Sequence, residues 1–312
     1  MNESEDSEET LERSSGTAGS DTHQAVFETH RRRLLGVAYR ILGSVVDAED
    51  VLQEAWFRWA GSDPAAIENA EAFLTTVVTR LSLDRLRRVK ARREVYAGSW
   101  LPEPVSADLD PRSGDPQAAI ELADSLSLAL LVVLETLSPL ERAAFVLREV
   151  FGESYPAVAA MLDREEPAVR QLVHRARQRV EAGSARYRAD RATHAAVVRR
   201  FMSACQSADL DGLLAVLAPD VVIISDGGGM ARAPKRPVHG RDKVARLMLG
   251  ILPRALPGTT IDYEVFNGQL GIVARLDGRA TGVLAVSVSD GTVQSLYLIA
   301  NPEKLTALDD RS

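Results

Sequence analysis

Three stretches of the chain carry side chains whose type and spacing suit a chemical task. Asp47, Asp50 and Glu54 share one face at helical spacing with Gln53 beside them, while Val51, Leu52, Ala55 and Trp56 face the other way. Carboxylates arrayed like this form either a solvated surface or a contact for a basic partner. Arg80, Arg85, Arg87, Arg88 and Lys90 crowd the far end of a second amphipathic pattern. So many like charges repel unless an anion screens them, and local charge of this kind attracts phosphates. In the third stretch Arg170, Gln171, His174, Arg175 and Arg177 lie outside an apolar seam of Val169, Leu172, Val173 and Ala176. Arg and Gln can form bidentate bonds to guanine and adenine, and extra Arg can grip phosphates. His174 reads as a structural or phosphate contact.

Catalysis has thinner support. Asp226 and His239 are candidate bases and Tyr263 a candidate oxyanion donor, but nothing in their spacing assembles a site. The run Asp226-Gly227-Gly228-Gly229 is equally a loop that needs positive φ angles. Cys205 is the single cysteine, so an internal disulfide and a multi-cysteine zinc site are excluded. It falls in a helical apolar pattern with Val197, Val198, Phe201 and Met202, which suits a core residue. No catalytic set, metal or cofactor is expected.

These groups must be positioned by elements that the sequence also outlines. Helical periodicity begins at Gln24, runs through Leu34, Leu35, Ala38, Ile41 and Leu42, breaks at Gly43-Ser44, and resumes through Trp59. A third helix starts near Asn69, a good N-cap, and is expected to bury Phe73, Val77, Leu81 and Leu86. From Gly98 to Gln117, Pro102, Pro104, Pro111 and Pro116 mark an extended linker, interrupted by Trp100-Leu101-Pro102-Glu103-Pro104. A tryptophan there implies that something packs on it.

A second helical block runs from about Ile120 to Arg188. Ser138-Pro139-Leu140-Glu141 has the form of a capping box, and a short helix from Ser154, a turn and a basic helix from Pro167 outline a helix-turn-helix. After Arg191 one amphipathic helix precedes five alternating runs, the last four separated by Asn267-Gly268, Asp277-Gly278 and Asp290-Gly291. That pattern predicts a curled antiparallel sheet with helices on one side.

The net charge of -7 over 312 residues hides this distribution. Glu3, Glu5, Asp6, Glu8, Glu9 and Glu12 face only Arg13, so residues 1–23 are expected to form a disordered acidic tail. Base is concentrated at Arg31 to Arg33, Arg80 to Arg93 and Arg164 to Arg191. No apolar run approaches the roughly 18 residues needed to span a bilayer, and the acidic start is not a signal peptide, so a cytoplasmic protein without membrane contact is expected.

The segment Asp47 to Trp56 closely resembles the polymerase-binding helix of the sigma-70 family. Phe73 to Arg88 resembles the promoter-melting, minus-ten-reading helix of its extracytoplasmic-function members, and Val169 to Arg177 resembles their minus-thirty-five-reading helix. One departure is Asp163, where that family usually has a turn glycine; Asp tolerates a left-handed backbone. The last 120 or so residues resemble the SnoaL-like cone. Trp100-Leu101-Pro102-Glu103-Pro104, Asp226-Gly227-Gly228-Gly229 and Asn301-Pro302-Glu303-Lys304-Leu305 resemble signatures of the group of such sigma factors carrying that domain fused. The group usually has lysine after the glycines; here it is Met230.

The resemblance implies a multi-domain chain: two all-α sigma domains plus a C-terminal α+β SnoaL-like cone. Region 2 would span 24–95, a linker 96–118, the region 4 helix-turn-helix 119–188, and the cone 192–312. It implies core RNA polymerase and promoter DNA as partners. Asp47, Asp50, Gln53 and Glu54 would bind polymerase. Arg80, Arg85, Arg87, Arg88 and Lys90 would hold the minus-ten region, and Arg170, Gln171, His174, Arg175 and Arg177 the minus-thirty-five region. Trp100, Leu101, Pro102, Asp226, Gly227, Gly228, Gly229, Asn301 and Pro302 would make regulatory contacts in cis. A small-molecule ligand or protein partner of the cone stays open. The competing reading is a helix-turn-helix regulator with a ligand-sensing SnoaL-like domain.

Overall fold

The computed structural model describes residues 5–63, 66–93, 96–105, 127–184, 190–251 and 257–309. The expected linker beyond Val105, the expected helix start near Ile120, and the boundary between residues 118 and 119 lie outside these.

Gly43 takes φ +74, which a side chain would resist, and this turns the chain between α1 (Glu5–Leu42) and α2 (Val45–Ala60). Ser44 caps α2 by accepting from Asp47 N. Asn69 does the same at the start of α3 (Ala70–Arg93), accepting from Ala72 N at 2.9 Å. The stretch before Gln24, expected as a disordered tail, is helical backbone from Glu5 and continues α1.

The buried face of α3 also differs from expectation. Phe73 and Val77 are half-buried, whereas Leu74, Val78, Leu81 and Leu86 are buried together with Thr75, Thr79 and Ser82. Both sides of this helix are covered, because the second helical unit packs on the side that an isolated three-helix unit would leave open.

That second unit comprises α4 (Leu128–Glu135), α5 (Pro139–Phe145) running into a π-helical turn (Val146–Val150), α6 (Tyr155–Leu162) and α7 (Glu166–Ser184). The Ser138/Glu141 capping box forms as the sequence indicates. Asp163 ends α6 at φ 53, ψ 57, so the turn survives the absent glycine. The two helical units share one continuous apolar core from Phe27 to Val180.

The C-terminal part is an α+β cone. Helices α8 (Arg191–Gln206), α9 (Leu210–Val216) and α10 (Arg241–Ile251) accompany a six-stranded sheet in the order β2-β1-β6-β5-β4-β3. The strands are β1 (Leu217–Asp226), β2 (Val238–His239), β3 (Thr260–Phe266), β4 (Gln269–Leu276), β5 (Arg279–Ser289) and β6 (Thr292–Ile299). Asn267-Gly268, Asp277-Gly278 and Asp290-Gly291 have positive φ at both residues, as two-residue hairpins require.

The expectation of an antiparallel sheet needs one correction, because β1 runs parallel to β6. Pairing between the first long strand and the last is set by how the sheet curls, which no local pattern encodes. One face of the cone packs on Val198, Phe201, Leu213, Val286 and Leu296. On the other, Val273, Val283, Tyr297 and Ile299 are covered by linker Leu101, by Leu128 and Ala129 of α4, and by Leu305 and Leu308. The helical units and the cone are thus joined through a shared apolar layer.

Candidate functional site

On α2, Asp50, Gln53 and Glu54 are exposed and Asp47 is half-buried. Arg85 of α3 bridges the first two carboxylates, with Nε donating to Asp47 Oδ1 at 2.7 Å and Nη2 to Asp50 Oδ2 at 2.6 Å. Burial opposes charge on Arg85, but the two carboxylates outweigh it and raise its pKa. Glu54 pairs with Arg58 one turn on. Beside them a groove of about 380 Å³ lies between α1 and α2, lined by Phe27, Leu52, Gln53, Trp56 and the exposed Phe57.

The remaining basic residues of α3 have separate fates. Arg87 pairs with Asp84 and Arg88 reaches back to Asp84 O, both on the exposed face. Arg80 donates to Met161 O and Ala160 O at 3.1 Å each, the last carbonyls of α6. Lys90 donates to Leu137 O at 2.6 Å, just beyond the end of α4, and burial lowers its pKa. Arg93 meets Glu135 at 2.5 Å and Leu42 O at 2.9 Å. Thr75, Thr79, Ser82, Lys90 and Arg93 share one helical stripe; Lys90 and Arg93 reach the second unit, and the three hydroxyls have no hydrogen-bond partner among the described residues.

On α7 the apolar seam is buried as its spacing implies, and Gln171, His174, Arg175 and Arg177 are exposed. Arg175 and Arg179 pair with Glu141, Arg177 with Glu149, and Arg170 with Glu166. His174 faces Gln178 at 3.2 Å. Two carboxylates on α5 and its π-helical turn thus hold this helix face in register.

The linker meets the cone in a built polar site. Asp226 is fully buried at the end of β1 and accepts from the Tyr96 hydroxyl (2.7 Å), Leu101 N (2.9 Å), Gly228 N (3.0 Å) and Lys304 Nζ (2.7 Å). Asn301 Nδ2 donates to the same Tyr96 hydroxyl at 2.9 Å. Trp100 is held between two cations, with Arg93 3.2 Å and Lys304 4.0 Å from its ring centre. Gly228 sits against Asn301 and Gly229 against Ala97, both too close to accept a side chain. Leu101 and Pro102 are buried, Pro302 is exposed, and Gly227 backs onto Ala231 within the loop.

Matches to known families follow these units. Residues 26–93 match the Sigma-70 region 2 model and residues 127–180 the Sigma-70, region 4 model. ECF RNA polymerase sigma factor SigJ of Mycobacterium tuberculosis is 44% identical over 290 residues, spanning 90% of this chain and 92% of that one. The chain belongs to the ECF sigma factors of the sigma-70 family. Probable ECF RNA polymerase sigma factor SigI of the same species is 32% identical, spanning 92% of this chain and 96% of that one. The crystal structure of M. tuberculosis SigJ aligns with a TM-score of 0.71 at 40% identity, covering 90% of this chain and 97% of that one. A plain helix-turn-helix regulator is not favoured, since region 2 helices have no place in one.

In this ECF sigma factor the candidate catalytic residues do not converge. The Asp226 carboxylate is engaged by the linker and Lys304, while His239 on β2 and Tyr263 on β3 lie at opposite edges of the sheet. Met230 is exposed, outside the Asp226 contacts. No helix among the described residues is long and apolar enough to cross a membrane.

Sequence reasoning passed over several contact residues. Glu103 Oε2 accepts from Val45 N at 2.7 Å, and Glu103 O accepts from the Tyr39 hydroxyl at 2.7 Å. Asn267 donates from Nδ2 to that hydroxyl at 2.8 Å, and its Oδ1 accepts from Val105 N at 3.1 Å. Burial raises the Tyr39 pKa. Glu103 lies within Trp100–Pro104 and Lys304 within Asn301–Leu305, and that placement is the available signal. Asn267 was masked by its role as a turn residue.

Proposed function

We propose that this sigma factor binds core RNA polymerase through the Asp47–Glu54 face and its neighbouring groove. The exposed part of α3 and the outer face of α7 read the two promoter elements, and the fused cone restrains both in cis. One observation carries this reading: Arg80 and Lys90, two of the residues assigned to the minus-ten region, are occupied by carbonyls of the second helical unit. While the units are closed, a phosphate must compete with those carbonyls for the same donors. The linker supports the closure, since Tyr96 to Val105 is bonded on one side to α1 and α2 and on the other to the cone. A tethered domain needs no separate inhibitor, because its effective concentration is set by the chain.

The test is in-vitro transcription with core polymerase, comparing the full chain with chains ending at Arg191 and at Asn301. Ending at Asn301 removes Lys304, Leu305 and Leu308 from the linker site, and initiation is expected to rise. Equal initiation by all three forms would refute restraint in cis. Absence of promoter-specific initiation by any of them would refute the proposed promoter contacts. Charge reversal at Asp50 and Glu54 is expected to weaken core binding with the fold unchanged; equal affinity by titration would remove α2 from the interface.

A further inference from the structure

Between Gly227 and Ile261 the only acidic residue is Asp242, while Arg232, Lys235, Arg236, Arg241, Lys243 and Arg246 all fall within fifteen positions. Each of these six is exposed, and so is His239. None forms an ion pair with an acidic residue among the described residues, unlike Arg175, Arg177 and Arg179 of α7. In a chain of net charge -7 such a cluster is a local reversal of sign.

Its position matters more than its charge. The loop carrying Lys235 lies against the linker: a Cβ at Gly98 would stand 3.5 Å from Lys235 Cα, and one at Gly229 would stand 3.0 Å from Ala97 Cβ. Ala97 and Gly98 come directly after the basic end of α3, where Arg87 and Arg88 are exposed. The cluster then continues along β2 into the first turns of α10. The basic loop of the cone thus lies beside the linker where the chain leaves α3.

We propose that this face of the cone is a third DNA contact, holding backbone phosphates of the duplex beside the part engaged by α3. Phosphate contacts position a protein without reading sequence, so the contact adds affinity and register but no base specificity. The six side chains are open to solvent and make no ion pair among the described residues, which suits a charged polymer more than a shaped small-molecule site. Its place beside the linker that follows α3 favours DNA over an acidic protein surface.

The proposal rests on the sigma-factor reading, and the test keeps the two apart. Holoenzyme assembled from core polymerase and the full wild-type chain first selects binding duplexes from a random pool. Holoenzyme carrying Lys235→Gln, Arg236→Gln, Arg241→Gln and Lys243→Gln is then titrated on those duplexes at several salt concentrations. Neutralising four phosphate contacts should reduce the steepness of log affinity against log salt by roughly 3.6, with a similar loss on every selected duplex. The charge-conserving set Lys235→Arg, Arg236→Lys, Arg241→Lys and Lys243→Arg should keep the wild-type slope. Neutralising Arg199 and Arg279, exposed elsewhere on the cone, should also leave it unchanged. An unchanged slope in the neutralised set would overturn the proposal, as would a defect confined to assembly with core polymerase, which would mark the face as a protein contact.

Discussion

Lys304 donates to Asp226 across 2.7 Å where both side chains are shielded from solvent, and the same carboxylate accepts from the Tyr96 hydroxyl and the Leu101 amide of the linker. Burial pulls the Lys304 pKa down to about 8 against the opposing pull of Asp226. Burial and the bond to Asp226 both raise that of Tyr96. A buried pair of this kind adds little net stability, yet breaking it is costly because one charge is left without its partner. Its value lies in fixing where the linker sits.

Asp226→Asn is therefore expected to release the linker at a cost of about 3–5 kcal/mol, leaving the buried Lys304 without its bonded carboxylate. Hydrogen exchange at the Leu101 and Val105 amides should accelerate while the far-UV spectrum is kept. Lys304→Met should have a smaller effect, since Asp226 keeps its bonds from Tyr96, Leu101 and Gly228. Equal exchange rates in the wild type and Asp226→Asn would show that the carboxylate does not hold the linker.

Trp100 fills the space between Arg93 and Lys304, and its ring would lie 2.8 Å from a Cβ at Gly43. Trp100→Ala should cost about 3–5 kcal/mol. It should also increase the radius of gyration in small-angle scattering as the cone separates from the helices. An unchanged radius would show that the apolar layer around Leu101, Leu128 and Val283 suffices to hold the two together.

Thr75, Thr79 and Ser82 are buried along one stripe of α3 with hydroxyls unpaired among the described residues, which costs the folded chain stability. Thr75→Val with Thr79→Val should stabilise the free chain by about 1–3 kcal/mol, because each buried hydroxyl without a partner is costly. Lower stability in the double variant would show that the hydroxyls carry no such cost.

Glu141 governs the acid limit of region 4. Burial pushes its pKa up, but bonds from Ser138, Arg175 and Arg179 outweigh it and bring it down to about 2. With the folded pKa below the ordinary value of 4.5, its contribution is fully present above that value and is lost as pH falls toward 2. Denaturant midpoints should therefore fall between pH 4.5 and 2 in the wild type and fall less in Glu141→Gln. Parallel curves would separate Glu141 from the acid transition.

The sequence by itself determined what depends on near neighbours. The Ser138/Glu141 capping box, the Asn-Gly and Asp-Gly hairpins and the buried seam of α7 all formed where the residues indicated, because each is settled within a few positions of chain. The helical placement of the three charged stretches was legible for the same reason, and the linker tryptophan was legible because a large apolar ring rarely stays in water. Tertiary structure decided which charges meet. Arg85 joins the Asp47 face 38 positions away, Lys90 reaches a carbonyl 47 positions on, and Asp226 gathers partners from 78 to 130 positions off. It also decided the parallel pairing of β1 with β6, and that the outer sheet face would cover itself with α4 and the linker. Such contacts form only when distant segments are brought together by burying apolar surface, and no spacing along the chain records which segments those will be.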